Sequence, residues 1–109
     1  MDGAREFLVL VRRRAATKLL FLPHAIRQMS RPERMISTAE VRAVIDQGDI
    51  IEDYPDDARG HSALMLGGGT GGRPIHVVCS PQDEFLAVIT AYLPDPAEWT
   101  DDYKQRKTK

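Results

Sequence analysis

The stretch Leu64-Met65-Leu66-Gly67-Gly68-Gly69-Thr70-Gly71-Gly72-Arg73-Pro74-Ile75-His76-Val77-Val78 decides how this chain is read. Its glycine tract, Gly67 to Gly72, fits G-x-G-x-x-G letter for letter. Such a tract cradles a pyrophosphate when it follows a strand, opens a helix and sits in a strand–helix–strand unit. The glycines then let the backbone approach the phosphates, and the helix N-terminus holds their charge. The upstream half qualifies, because Ser62 to Leu66 reads as a strand. The downstream half does not. Arg73 to Cys79 is short and β-branched, the mark of a second strand. No Gly-Lys-Ser/Thr ending follows the glycines either. Strand, glycines and strand predict a β-hairpin with a long flexible loop. The most conspicuous motif is therefore expected not to be the functional site.

Downstream of the hairpin, Pro81-Gln82-Asp83 marks a turn and Glu84 to Leu93 a further strand. Alternation there sets Leu86, Val88, Thr90 and Tyr92 on one face, and Phe85, Ala87, Ile89 and Ala91 on the other. Pro94-Asp95-Pro96 ends the strand, and Asp95 can start a short terminal helix carrying Trp99. Upstream, Asp49 to Tyr54 is a strand closed by Pro55-Asp56-Asp57. Before it, Ser37-Thr38-Ala39-Glu40 is a capping box, S-x-x-E. Val41, Val44 and Ile45 continue it as one apolar stripe. Gly48 is expected to supply a left-handed stop, giving a helix over 38–47. His24 to Met29 reads as a short helix behind Pro23, and Pro32 breaks it. Thr17 to Leu22 reads as a short strand. Glu6 to Val11 fits either a strand or part of a helix running into Arg12-Arg13-Arg14.

The order predicts an α+β fold: an N-terminal strand and two helices packed on a four-stranded, mostly antiparallel sheet, with a short C-terminal helix. Residues 1–16 read as an N-terminal extension. Residues 17–109 read as a single compact domain with a basic tail, Tyr103 to Lys109. A chain of 109 residues suffices for one modest core. Its longest apolar run, Phe7 to Val11, is too short for a membrane span or a secretory core segment, so a cytoplasmic location is expected. The single Cys79 has no internal disulfide partner and lies in an apolar strand, which reads as a buried structural thiol.

Net charge is −1, but the charges are segregated. Residues 1–42 carry nine Lys/Arg against four Asp/Glu, residues 43–102 carry two against twelve, and the tail is basic. The two basic segments either meet as a surface for an anionic ligand or pair with the acidic middle.

Leu22-Pro23-His24-Ala25-Ile26-Arg27-Gln28-Met29, then Arg34-Met35-Ile36-Ser37, then Glu40-Val41 resemble the opening of the bacterial family known as domain of unknown function 4258. Its members typically read H-A-x-x-R-M, then R-G-I-S, then a capped helix. Arg73-Pro74-Ile75-His76-Val77-Val78, Ile89-Thr90-Ala91-Tyr92-Leu93-Pro94, Trp99 and Arg106-Lys107 extend the likeness over roughly residues 20–107. The chain departs from the pattern in three places. Met35 stands where Gly is usual, Gln28 separates Arg27 from Met29, and residues 1–16 precede the part that resembles the family. The family's layout is similar to RelE- and ParE-type toxins, some of which cut messenger RNA while others inhibit gyrase.

That likeness implies two readings. In one, the domain is RNA-directed, a toxin-type ribonuclease acting on RNA or the ribosome without a metal or other cofactor. Such cleavage needs a base, an acid and a cation at the phosphorane. His24, His76 and Tyr92 are the candidate acid–base groups. Arg27, Arg34, Arg73, Arg106 and Lys107 are the candidate anion clamps. In the other reading the domain is a non-catalytic protein-interaction domain of a small operon-encoded pair, its partner a cognate antitoxin-like protein. His76 and Tyr92 then act as cross-strand structural groups, and the arginines as ion-pair partners within the fold. A pI near 6.3 and the acidic stretch 46–57 weigh against RNA. A third reading makes the glycine loop the lid of a small-molecule pocket. Metal spacing such as C-x-x-C or H-x-x-x-H is absent, as is the G-x-S-x-G elbow of a serine hydrolase.

Overall fold

The computed structural model describes residues 3–108. Met1 and Asp2 of the expected extension, and Lys109 of the tail, lie outside the described residues. The elements run α1 Gly3–Thr17, β1 Leu19–Phe21, α2 Pro23–Met29, α3 Thr38–Gln47, β2 Asp49–Tyr54, β3 Ser62–Gly68, β4 Pro74–Pro81 and β5 Leu86–Tyr92. The class is α+β, as the element order predicts. The sheet has five strands rather than four, in the order β1-β5-β4-β3-β2. β2 to β5 form the antiparallel meander. β1 joins it parallel to β5, with Leu20 opposite Ala87. The Leu86 amide donates to Lys18 O and the Leu22 amide to Val88 O, locking that edge at both ends.

Among the described residues, α1, α2 and α3 cover one face of the sheet. The open alternative at Glu6 to Val11 resolves as helix. Phe7, Val11 and Ala15 recur every four residues and bury one stripe of α1. The arginines there cap other elements. Arg12 donates to Ile45 O and Gly48 O at the C-terminal end of α3, both at 2.9 Å. Arg42 reaches Ala15 O at the end of α1. Each brings positive charge to carbonyls left without helical partners. The Ser37–Glu40 capping box forms as read.

Gly48 corrects the expected left-handed stop. Its φ is −84°, an extended conformation open to any residue. Glycine is needed because a Cβ there would lie 2.4 Å from Leu66 O and 2.5 Å from Val44 O. The helix ends by passing tightly under β3.

The alternation expected along β5 holds only for its first half. Val78 pairs with Thr90 but Cys79 pairs with Val88, so Ile89 is an extra residue in a β-bulge. Leu86 and Val88 face the helices. After the bulge Ala91 and Leu93 do, and Thr90 and Tyr92 turn to the opposite face with Ala87 and Ile89. A second bulge at Ile51 likewise moves Glu52 to the opposite face, beside Leu64.

The expected C-terminal helix does not form. The Asp95 carboxylate takes the Ala97 amide at 2.8 Å as a side-chain turn. One helical turn follows, and the chain then doubles back. Thr100 N donates to Gln105 O and Lys107 N to Glu98 O, each at 2.9 Å, and Trp99 bridges Arg106. Amides that a helix would use are committed to this return. Residues 94–108 thus form a strap that carries Trp99, Tyr103 and Arg106 onto the face away from the helices.

Candidate functional site

Under the strap, β4 places His76 fully buried. Its Nε2 donates to Tyr103 O at 2.9 Å, since a carbonyl can only accept. Nδ1 is then the acceptor and takes the Tyr92 hydroxyl proton at 3.2 Å. Trp99 stands edge-on to the imidazole with ring centroids 4.4 Å apart. Burial pushes the His76 pKa down, although the Tyr103 carbonyl opposes this, so the ring is neutral. Burial pushes the Tyr92 hydroxyl up. The Arg106 guanidinium lies 4.7 Å above the Trp99 ring and binds Glu52 through two nitrogens, at 3.0 and 3.1 Å. The Tyr54 hydroxyl donates to the same carboxylate. Burial raises the Glu52 pKa, and the bonds from Arg106 and Tyr54 more than reverse it. Burial, then Glu52, pushes Tyr54 up to about 12.

On the helical side, Arg73 and Glu40 form a latch. Glu40 Oε2 accepts from the Thr70 amide at 2.8 Å and from Arg73 Nε at 3.1 Å. Oε1 accepts from Arg73 Nη2 at 2.9 Å and from the Ser37 amide at 3.0 Å. Arg73 also donates to Arg34 O at 2.7 Å and Met35 O at 3.0 Å. Its hydrogen bonds to Glu40 are the main reason that the carboxyl falls to about 2, against an opposing effect of burial. The latch answers the glycine motif. The loop is a β3–β4 hairpin connection, and an internal carboxylate occupies the Thr70 amide. A Cβ on Gly69 would lie 2.4 Å from both Glu40 Oε2 and Ile75 Cδ1. Gly69 is there to let Glu40 in.

A family model for a domain of unknown function, DUF4258, matches residues 21–93. That is most of the chain. The protein belongs to the DUF4258 family. No curated protein and no solved structure matches it significantly. The likeness read over roughly 20–107 is thus shown over 21–93, a span that holds His76, Tyr92 and every residue of the latch. Trp99, Arg106 and Lys107 lie beyond the DUF4258 match, and α1 lies before it.

The expected site residues fall into separate groups. His76, Tyr92 and Arg106 meet beneath the strap. Arg34 and Arg73 meet at the latch, where Arg34 also reaches Gln28 Oε1 at 3.5 Å. His24 and Arg27 are exposed on α2, across the sheet from His76. Lys107 is exposed on the strap. Cys79 is buried, which pushes its thiol up to about 12. Among the described residues no three His, Cys, Asp or Glu cluster as metal ligands, and no helix is long and apolar enough to cross a membrane.

A different feature of this DUF4258 domain, one that no motif in the sequence marks, is the β1 edge. Leu19, Leu20 and Phe21 form an uncharged terminal strand. Apolar ground flanks it on both faces. Phe21, Ile26, Met29 and Ile36 line a groove of about 380 Å³ on the helical side. Leu20, Leu22, Phe85, Ala87 and Ile89 line one of about 190 Å³ on the other. Ile26 is 52% exposed and Leu20 38%. The opposite edge, β2, carries Asp49, Glu52 and Asp53 and a bulge, devices that discourage pairing. The contrast between Leu19-Leu20-Phe21 and Asp49-Ile50-Ile51-Glu52-Asp53 is visible in the sequence, but knowing that both are edges requires the strand order.

Proposed function

We propose that this DUF4258 domain is a non-catalytic protein-interaction module, one half of a small complex. One observation carries the reading: among the described residues, the uncharged edge of the sheet is flanked by apolar grooves on both faces, while His76 and Tyr92, two of the three candidate acid–base groups, are bonded to each other inside the fold and the third, His24, stands alone on α2. An unpaired, uncharged edge strand is a ready template for pairing with another chain. General acid–base catalysis needs a group within about 2.6–3.2 Å of a substrate proton. His76 instead uses both nitrogens on Tyr103 O and Tyr92, beneath Trp99. Arg73 and Arg106, candidates for an anion clamp, neutralise Glu40 and Glu52. The ribonuclease reading rests on likeness of layout, which speaks to fold and not to chemistry.

The test is controlled expression of wild type in a bacterial host, with Tyr92→Phe and His76→Gln alongside at matched soluble amounts. Growth and amino-acid incorporation are expected to stay normal for all three. Rapid arrest of translation by wild type, relieved by Tyr92→Phe, would overturn the reading.

A further inference from the structure

We propose that the β1 edge takes up an extended, acid-flanked segment of the partner protein as an added strand, an inference that rests on the interaction reading above. In a parallel ladder, alternate residues direct their amide and carbonyl to opposite sides. Register places Leu20 on the β5 side, so Leu19 and Phe21 direct theirs outward. That edge is a template of the right spacing for one more strand. The grooves on its two faces match what such a strand would present. Its successive side chains point to opposite faces, one set toward Phe21, Ile26 and Ile36, the other toward Leu20, Phe85 and Ile89. Apolar residues at every position of the core segment are therefore accommodated, two or three on each side.

Charge selects the flanks. Lys18 precedes β1, Arg27 and Arg31 lie on and just after α2, and Arg42 borders Leu19 and Phe21. All four are exposed, and none joins an ion pair among the described residues. Glu40, the buried acid of this region, is committed to Arg73. Exposed Glu33 and Glu84 lie in the same region, so four cations stand against two exposed acids there, a surplus complementary to Asp or Glu on either side of an apolar core. An oligonucleotide shares the charge but not the apolar core or the alternating amides.

The test uses the full chain, immobilised, to select from a phage-displayed library of random twelve-residue peptides. The best binder is then resynthesised with single N-methyl amides along its length. Expected are peptides with a short apolar run between acidic flanks. Methylation at alternate positions should weaken binding at least about tenfold, with the positions between them tolerant. Amide exchange should slow at Leu19 and Phe21. Leu20→Lys, folded by its melting curve, should weaken binding by a similar factor, and raised salt should weaken it further. Peptides of helical periodicity, a methyl scan without alternation, or protection away from β1 would overturn strand addition while leaving the interaction reading in place. No peptide enrichment together with tight binding of a single-stranded RNA oligonucleotide would overturn both.

Discussion

Replacing Glu40 by Gln removes one charge from the latch and almost no volume. The carboxylate is 7% exposed and accepts hydrogen bonds from Ser37, Thr70 and Arg73. Its pKa falls from 4.5 to about 2 on folding. At about 1.4 kcal/mol per unit, that shift sets a ceiling of about 3 kcal/mol on its contribution near neutrality. The Arg73 side chain is 31% exposed, so solvent screens part of it, and about 2 kcal/mol is the expected loss in Glu40→Gln. The sign follows from linkage. A carboxyl whose folded pKa is depressed stabilises fully above 4.5, and the contribution disappears as pH falls toward about 2. Urea unfolding followed by Trp99 fluorescence, on wild type and variant at pH 7, 4 and 3, measures the difference. It should shrink steadily as the pH drops. A difference below about 0.5 kcal/mol at pH 7, the range of ordinary surface changes, or one constant with pH, would refute the latch as an energetic element.

Met35 has φ 45° and is 64% exposed, so Met35→Gly relieves a left-handed residue and gives up little burial. About 1–2 kcal/mol of strain against about 0.5–1 kcal/mol of added chain entropy leaves a net gain near 0.5–1 kcal/mol, seen as a higher melting temperature. Gly69→Ala should cost about 1–3 kcal/mol by pushing Glu40 and Ile75 away, and more than Gly68→Ala, whose Cβ would meet nothing closer than 3.9 Å on a backbone without positive φ. Neutral, buried His76 contributes stability that is complete above the ordinary 6.5 and is lost as pH falls toward its lowered folded pKa. His76→Gln should be less stable near neutrality and should lose less between pH 7.5 and 5.5, read by thermal melts.

The sequence makes the local elements legible because each carries its own signal. The Ser37–Glu40 capping box, Pro23 at the start of α2 and the β-branched runs on either side of the glycines all lie within a few residues of what they determine. The antiparallel meander follows from short connections. What escapes is set by contacts distant in the chain. The Ile89 bulge inverts the faces of Thr90 and Tyr92, and no periodicity announces a single extra residue. The strap depends on Arg106 reaching Glu52, 54 residues earlier. Gly48 looks like a helix stop by its position, and its actual reason, the approach to Leu66 O, belongs to β3. Of the candidate site, His76 and Tyr92 share a face as neighbouring strands predict for one side of the bulge, opposite each other in register. Glu40 reads as a cap alone because Arg73 is 33 residues away. Met35 is a case where a departure from the family pattern has a physical meaning: the usual Gly suits the conformation that Met35 is made to adopt.

Site-specific photocrosslinking in living cells tests the interaction reading most directly. A benzophenone amino acid replaces exposed Ile26, beside the β1 edge, and in a control replaces exposed Glu98 on the strap. The account predicts a discrete protein adduct from position 26 and none from 98, lost when Leu20→Lys is added. Adducts at 26 that nuclease digestion removes, or adducts from 98 alone, would contradict it.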